Sequence, residues 1–205
     1  MRTKCLSLSN NCKPKDLVDF GLFPIANFPI NKKTFKNFIE KNKFNSKKKL
    51  KIIFCPKCNY LQLEKKASPK ALDTIYEKFY KYPSAMLAQI DPIRDDLFLK
   101  KIFKVLNFKK IKSVLEIGCY DGYILHNIKK KYPSIDEYGC EPSSGANIAK
   151  RFNLNVRKTF FDKKTFKNKK FDLIILRHTL EHIYDIKKIL SNIKSVMNEN
   201  SYFAI

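Results

Sequence analysis

From residue 111 to residue 205, short apolar runs alternate with longer amphipathic ones, and this rhythm narrows the possible folds more than any other feature. "SVLEIG" reads as a strand and "DGYILHNIKKKY" as a helix; "IDEYGCE" reads as a strand and "SGANIAKRF" as a helix. "LNVRK" is a short strand. Beyond the loop "KKTFKNKK", "FDLIILR" is a buried strand, "DIKKILSNIKSVM" a helix, and "SYFAI" opens another strand. Strands joined through helices return to the same edge and pair in parallel, with the helices covering both faces. The expected architecture is α/β, with an open parallel sheet filling residues 111–205.

Upstream of the sheet the chain has a different character. Residues 1–68 hold four of the six cysteines, several prolines and short apolar runs, and read as a small separate module. Within it, "LKIIFC" looks like a strand entering a cysteine turn and "NYLQLE" like the strand leaving it. Residues 69–110 read as helical: "ALDTIYEKFYKY", then "PIRDDLFLKKIFKVLNF", where Ile93, Leu97, Phe98, Ile102 and Leu106 recur at helical spacing.

Charge and cysteine content bound the function. The chain carries 42 Lys and Arg against 19 Asp and Glu, a formal net charge of +23, which on its face suits a polyanion partner. The excess is mostly lysine spread through every element, including helix backs such as "NIKKKY", rather than gathered on one face. General lysine bias therefore explains it better than a nucleic-acid site, which remains the alternative reading. No stretch approaches the ~20 apolar residues of a membrane span, and "MRTKCLSLSN" lacks a signal-peptide core. A cytoplasmic protein is expected, in which cysteines serve as metal ligands or buried thiols.

Chemistry concentrates at the carboxyl ends of the predicted strands, where open parallel sheets bind ligands. Gly118 and Gly122 bracket a turn after the first strand, with Glu116 before it and Asp121 inside it. A dinucleotide site uses G-x-G-x-x-G and leaves room for a pyrophosphate. An acid in that position repels phosphate and suits a cationic or zwitterionic ligand. Glu141, at the end of the second strand in "YGCEPSS", is placed to accept two ribose hydroxyls. Its plainer role is in a helix-capping loop, with Ser143 or Ser144 as the cap.

With these residues in place, the chain resembles the class I S-adenosylmethionine-dependent methyltransferases: "LEIGCYDG" looks like their first motif and "GCEPS" like their second. The resemblance implies a Rossmann-like sheet with S-adenosylmethionine as cofactor. Gly118, Cys119 and Gly122 would line its methionine and sulfonium end. Glu116 and Asp121 would organise the turn and the amino group. Glu141, followed by Pro142, would hold the ribose, and Asp162 would face the adenine. His178 and His182 follow the strand ending near Arg177, with Glu181 between them. Four residues apart, they would share a face if helical, which raises a metal reading. The pattern is not H-E-x-x-H and no third ligand accompanies it, so a cofactor-facing or packing role is expected.

The first half sharpens the resemblance. "CPKCN" is a C-x-x-C knuckle whose Cys55 and Cys58 thiolates can share one tetrahedral zinc, with Cys5 and Cys12 as the irregularly spaced second pair. "VDFGLFPIANFPI", "CPKCNYLQLE" and "YEKFYKYPSAM" occur in the order seen in bacterial sugar C-methyltransferases, which carry a zinc-binding N-terminal module. That resemblance implies a nucleotide-linked deoxysugar as substrate, in surface polysaccharide or glycan synthesis. Tyr80, Tyr82 and Ser84 would line its pocket, with His182 in a familial "LEHI". The family continues past this point into a segment carrying the catalytic base, whereas this sequence stops inside a strand. The sequence thus reads as truncated, a remnant or a subunit completed by a separate C-terminal chain.

Overall fold

The computed structural model describes residues 12–24, 47–65, 68–74, 76, 84–88 and 92–205. The chain divides into two compact units, Met1–Ile75 and Tyr76–Ile205. In the first, β1 (Lys15–Pro24), β2 (Lys47–Cys55) and β3 (Tyr60–Leu63) form an antiparallel sheet in the order β1-β2-β3. The β2–β3 hairpin is the one expected around the C-x-x-C knuckle, and Asn59 takes the left-handed turn position at φ 49°. β1 is not announced by the sequence pattern. Register irregularities at Asp16/Val18 and Asp19/Leu22 break its alternation of apolar and polar residues. Lys51, on the central strand, reaches Asp16 at 2.7 Å and Glu64 at 3.3 Å, which raises its pKa. A short helix, α1 (Pro69–Thr74), follows.

The second unit begins with α2 (Ala85–Ala88) and α3 (Ile93–Val105). Then come the alternating elements: β4 (Ser113–Ile117), α4 (Tyr123–Lys131), β5 (Asp136–Cys140), α5 (Gly145–Arg151), β6 (Val156–Arg157), β7 (Phe171–Ile175), α6 (Ile186–Ser195) and β8 (Met197–Ala204). The five strands pair in parallel in the order β6-β5-β4-β7-β8. Every strand and helix expected in residues 111–205 is present.

Each face of this sheet buries its own core. On one side Val114, Leu173 and Ile175 pack against Leu99 and Ile102 of α3 and Ile124, Leu125 and Ile128 of α4. On the other, Leu115, Ile117 and Ile174 pack against Ile189 and Ile193 of α6 and against Phe166. The alternation of neighbouring strand residues between faces follows from the pleat. α3 therefore belongs to the core of the second unit. Helix ends are closed from the sequence: Lys129, Lys130 and Lys131 complement the C-terminal dipole of α4, and the Asp185 carboxylate caps α6 by accepting from Lys188 N–H at 3.0 Å.

Candidate functional site

Reversal of strand order at β4 places the candidate site. β5 and β6 lie on one side of it and β7 and β8 on the other, so the loops leaving β4 and β7 part at their carboxyl ends. The turn that follows β4 is wound tightly. Gly118 sits at φ 75°, Tyr120 at 45° and Gly122 at 80°. Gly118 N–H donates to the Cys140 carbonyl at 2.8 Å, and Gly122 N–H to that of Cys119 at 2.8 Å. Both glycines also lack room for a side chain. A Cβ on Gly118 would stand 2.4 Å from Thr179 Oγ1, and one on Gly122 2.4 Å from Leu154 Cδ1. Thr179, whose hydroxyl lies 2.9 Å from the Arg177 carbonyl, is thus a site residue that carried no sequence signal. Only the fold brings it beside Gly118.

Three buried carboxylates surround this turn, and each meets a different environment. Glu116, one residue before the end of β4, is 4% exposed, and among the described residues its Oε2 has no hydrogen-bond partner. Burial, and then the neighbouring Asp121 and Glu141 charges, push its carboxyl well above the ordinary range. Glu141 is held from both sides: Tyr120 N–H donates to Oε2 at 3.2 Å and Ser143 N–H to Oε1 at 2.8 Å. The side-chain cap expected nearby is not made: the helix N-cap, Ser144, carries no capping hydrogen bond, and Ser143 Oγ instead closes a local turn by accepting from Gly145 N–H at 3.2 Å. Pro142, half-buried, joins the two. Asp121 accepts from Ser84 Oγ at 2.8 Å, Met86 N–H at 3.1 Å and Tyr123 N–H at 3.2 Å.

The remaining expected residues fall at varying distances from this arrangement. The Cys119 side chain lies in the core against β5; burial, then the neighbouring Glu116 charge, pushes its thiol well up. Asp162 closes its own turn, accepting from Lys164 N–H at 3.0 Å, with Asn192 Nδ2 3.5 Å from its other oxygen. His178 is exposed in a left-handed conformation at φ 48°, before the 3₁₀ turn Leu180–His182 begins. The two histidines therefore do not share a helical face. The His182 ring instead meets Tyr76 edge-on at 6.2 Å, and Tyr76 meets Phe160 in the same manner at 6.2 Å. Arg177, the residue before His178, pairs with Asp95 of α3. Tyr80 and Tyr82 lie outside the described residues.

In the first unit, Cys12, Cys55 and Cys58 bring their sulfurs within 4.8 Å of one another, and the Cys12 and Cys58 sulfurs are 3.6 Å apart. A disulfide requires about 2.05 Å. Thiolates at about 2.3 Å from a tetrahedral zinc stand about 3.8 Å apart, so the spacing and the all-sulfur donor set fit that ion. Among the described residues this is the one group with the spacing of a metal site. Cys5, the fourth expected ligand, lies outside them.

Residues 86–205 match a protein-family model described as "Methyltransferase domain". Among solved structures, the chain superposes on the plantazolicin methyltransferase BpumL in complex with SAH at a TM-score of 0.50 and 23% identity, covering 65% of this chain and 56% of that one. The O-methyltransferase from a trans-AT polyketide synthase multienzyme of Brevibacillus brevis gives 0.45 at 23% identity, covering 54% and 38%. In sequence, 134 residues are 28% identical to "Probable polyketide synthase 23" of Dictyostelium discoideum, covering 54% of this chain and 5% of that protein. The chain thus spans about half the length of the BpumL structure and a small fraction of the synthase. The BpumL likeness shows the fold, and the family match spans more than half of the chain. On that match, this chain belongs to the methyltransferase-domain family.

Proposed function

We propose that the second unit is an S-adenosylmethionine-dependent methyltransferase domain whose cofactor occupies the crevice between the loops leaving β4 and β7. The observation that carries this reading is Glu116: a buried carboxylate oxygen without a partner among the described residues, at the carboxyl end of the central strand, in a setting that favours a cation. The cofactor supplies a methyl group made electrophilic by a sulfonium. This chain's residues do the binding. The turn from Gly118 to Gly122 lets the backbone approach closely, and Glu141, fixed by two N–H donors, keeps lone pairs for the ribose hydroxyls. Three carboxylates at the turn disfavour a pyrophosphate, which separates this site from a dinucleotide site. The SAH bound in the BpumL structure supports the same ligand class.

The acceptor we propose is a nucleotide-linked deoxysugar, methylated at carbon. The order of motifs in the first half supports it, as do the three clustered cysteines, which would hold a structural zinc with Cys5 as the fourth ligand. Carbon methylation needs a base to remove a proton next to a carbonyl. Tyr80, Tyr82 and His182 are the candidates for the acceptor side, and the Tyr76–His182 contact keeps an aromatic surface beside the β7 loop.

The test is calorimetric titration of the chain with S-adenosylhomocysteine, beside Glu141→Ala checked for native circular dichroism. One ligand per chain is expected, with at least tenfold weaker binding in the variant. No binding, or equal affinity in a folded variant, would overturn the proposal.

A further inference from the structure

We infer that Asp121 is a positioning residue: its carboxylate ties the segment Ser84–Ala88 onto the glycine turn, so that this segment forms a wall of the crevice. The inference rests on the cofactor reading above. An acid at this place in the turn invites the view that it contacts the ligand, but the hydrogen bonds point elsewhere. An ionised carboxylate has about four acceptor sites. Three are taken by the protein's own donors: Ser84 Oγ at 2.8 Å, Met86 N–H at 3.1 Å and Tyr123 N–H at 3.2 Å. Asp121 is 4% exposed, and Ser84 and Met86 are 9% exposed each, so these bonds are made away from water.

Two chain segments 35 to 37 residues apart are thereby held by one side chain. Tyr123 is the first residue of α4, and Met86 lies in the first turn of α2, so the carboxylate accepts from a first-turn N–H at two helix starts. Ser84 completes the knot, since its Oγ also accepts from Leu87 N–H at 3.1 Å. A second tie lies beside it, where Tyr123 OH donates to Asp96 of α3 at 2.8 Å. α2 also approaches α5, the helix that follows the Glu141 loop. At that helix start the Tyr120 ring leaves no space for a Cβ on Gly145, 2.6 Å away. The segment therefore meets both the glycine turn after β4 and the helix that follows the Glu141 loop. Releasing it opens the crevice without changing any residue that faces the ligand.

Ser84→Ala separates the two roles, because it breaks the tie and leaves the Asp121 charge in place. The full-length chain, Ser84→Ala, Asp121→Asn and the double variant would be compared by titration with S-adenosylhomocysteine and by amide hydrogen exchange at Met86 and Leu87. Loss of a buried hydrogen bond to a charged group corresponds to about tenfold in an equilibrium. We expect exchange at both amides to speed by about tenfold in each single variant, and affinity to fall by about tenfold in both. The double variant should bind within about twofold of Asp121→Asn, since both changes cut one connection. Ser84→Ala with parental affinity, or with parental exchange, would overturn the inference. If the parent chain does not bind the ligand at all, the cofactor reading fails by itself, and parental exchange in Ser84→Ala would then show that the tie does not exist.

Discussion

Glu116, Asp121 and Glu141 are all buried acids around the glycine turn, yet each meets a different partner set. Among the described residues Asp121 meets three donors, Glu141 two, and the Glu116 Oε2 none. The sign of the Glu116 effect follows from its surroundings. Its folded-state carboxyl is raised, by burial first and by Asp121 and Glu141 next, so the native protein keeps a proton that the unfolded chain releases near its ordinary value of about 4.3. Its contribution to stability is fully present below that value and is lost as pH rises through the raised folded value. Glu116→Gln carries no such charge at any pH. Urea midpoints from pH 4.5 to 8 should therefore show the variant gaining on the parent as pH rises, and parallel curves would contradict this. At this scale the placement of Glu116, Asp121 and Glu141 was legible in the sequence, from strand ends and the glycine turn. What each acid binds was not, because Ser84, Met86 and Thr179 reach the turn only through tertiary folding.

Among the elements, β4 is the keystone, flanked by β5 and β7 and extended into the glycine turn. Its opposite end is pinned by Asp172 of β7, which accepts from Lys112 N–H at 2.9 Å and Ser113 N–H at 3.1 Å, with Asn198 Nδ2 on its other oxygen at 3.0 Å. Burial raises the pKa of this carboxyl, but those hydrogen bonds outweigh it and the net shift is downward. The stabilisation is present above the unfolded value of about 3.9 and is lost as pH falls through the lowered folded value. Asp172→Ala should cost roughly 1–3 kcal/mol at pH 7. The gap to the parent should close as pH falls below about 3.9, which urea unfolding at pH 7 and pH 3 would measure. Strand and helix identity in this unit was legible because each apolar run is long enough to show its period. β1 was not, since Gly21 and two register irregularities disrupt its alternation. The shared face expected of His178 and His182 failed for a local reason: the left-handed backbone at His178 precludes a continuous helix.

The whole molecule is two compact units with different chemistry, a cysteine-bearing antiparallel sheet and a parallel methyltransferase sheet. The net charge of +23 gives little guidance to either, since lysine is dispersed over both and the carboxylates gather at the crevice. Zinc, if held by Cys12, Cys55 and Cys58, would stabilise the first unit alone. Metal analysis should give one zinc per chain in the parent and a clear deficit in Cys58→Ser, with S-adenosylhomocysteine affinity unchanged; a metal-free parent would contradict the site. The most direct test of the central claim is a crystal structure of the chain with S-adenosylhomocysteine. The account predicts the ligand between the loops leaving β4 and β7, its ribose hydroxyls bonded to Glu141 and its ammonium toward Glu116. A ligand seated elsewhere, or a ribose without contact to Glu141, would contradict it.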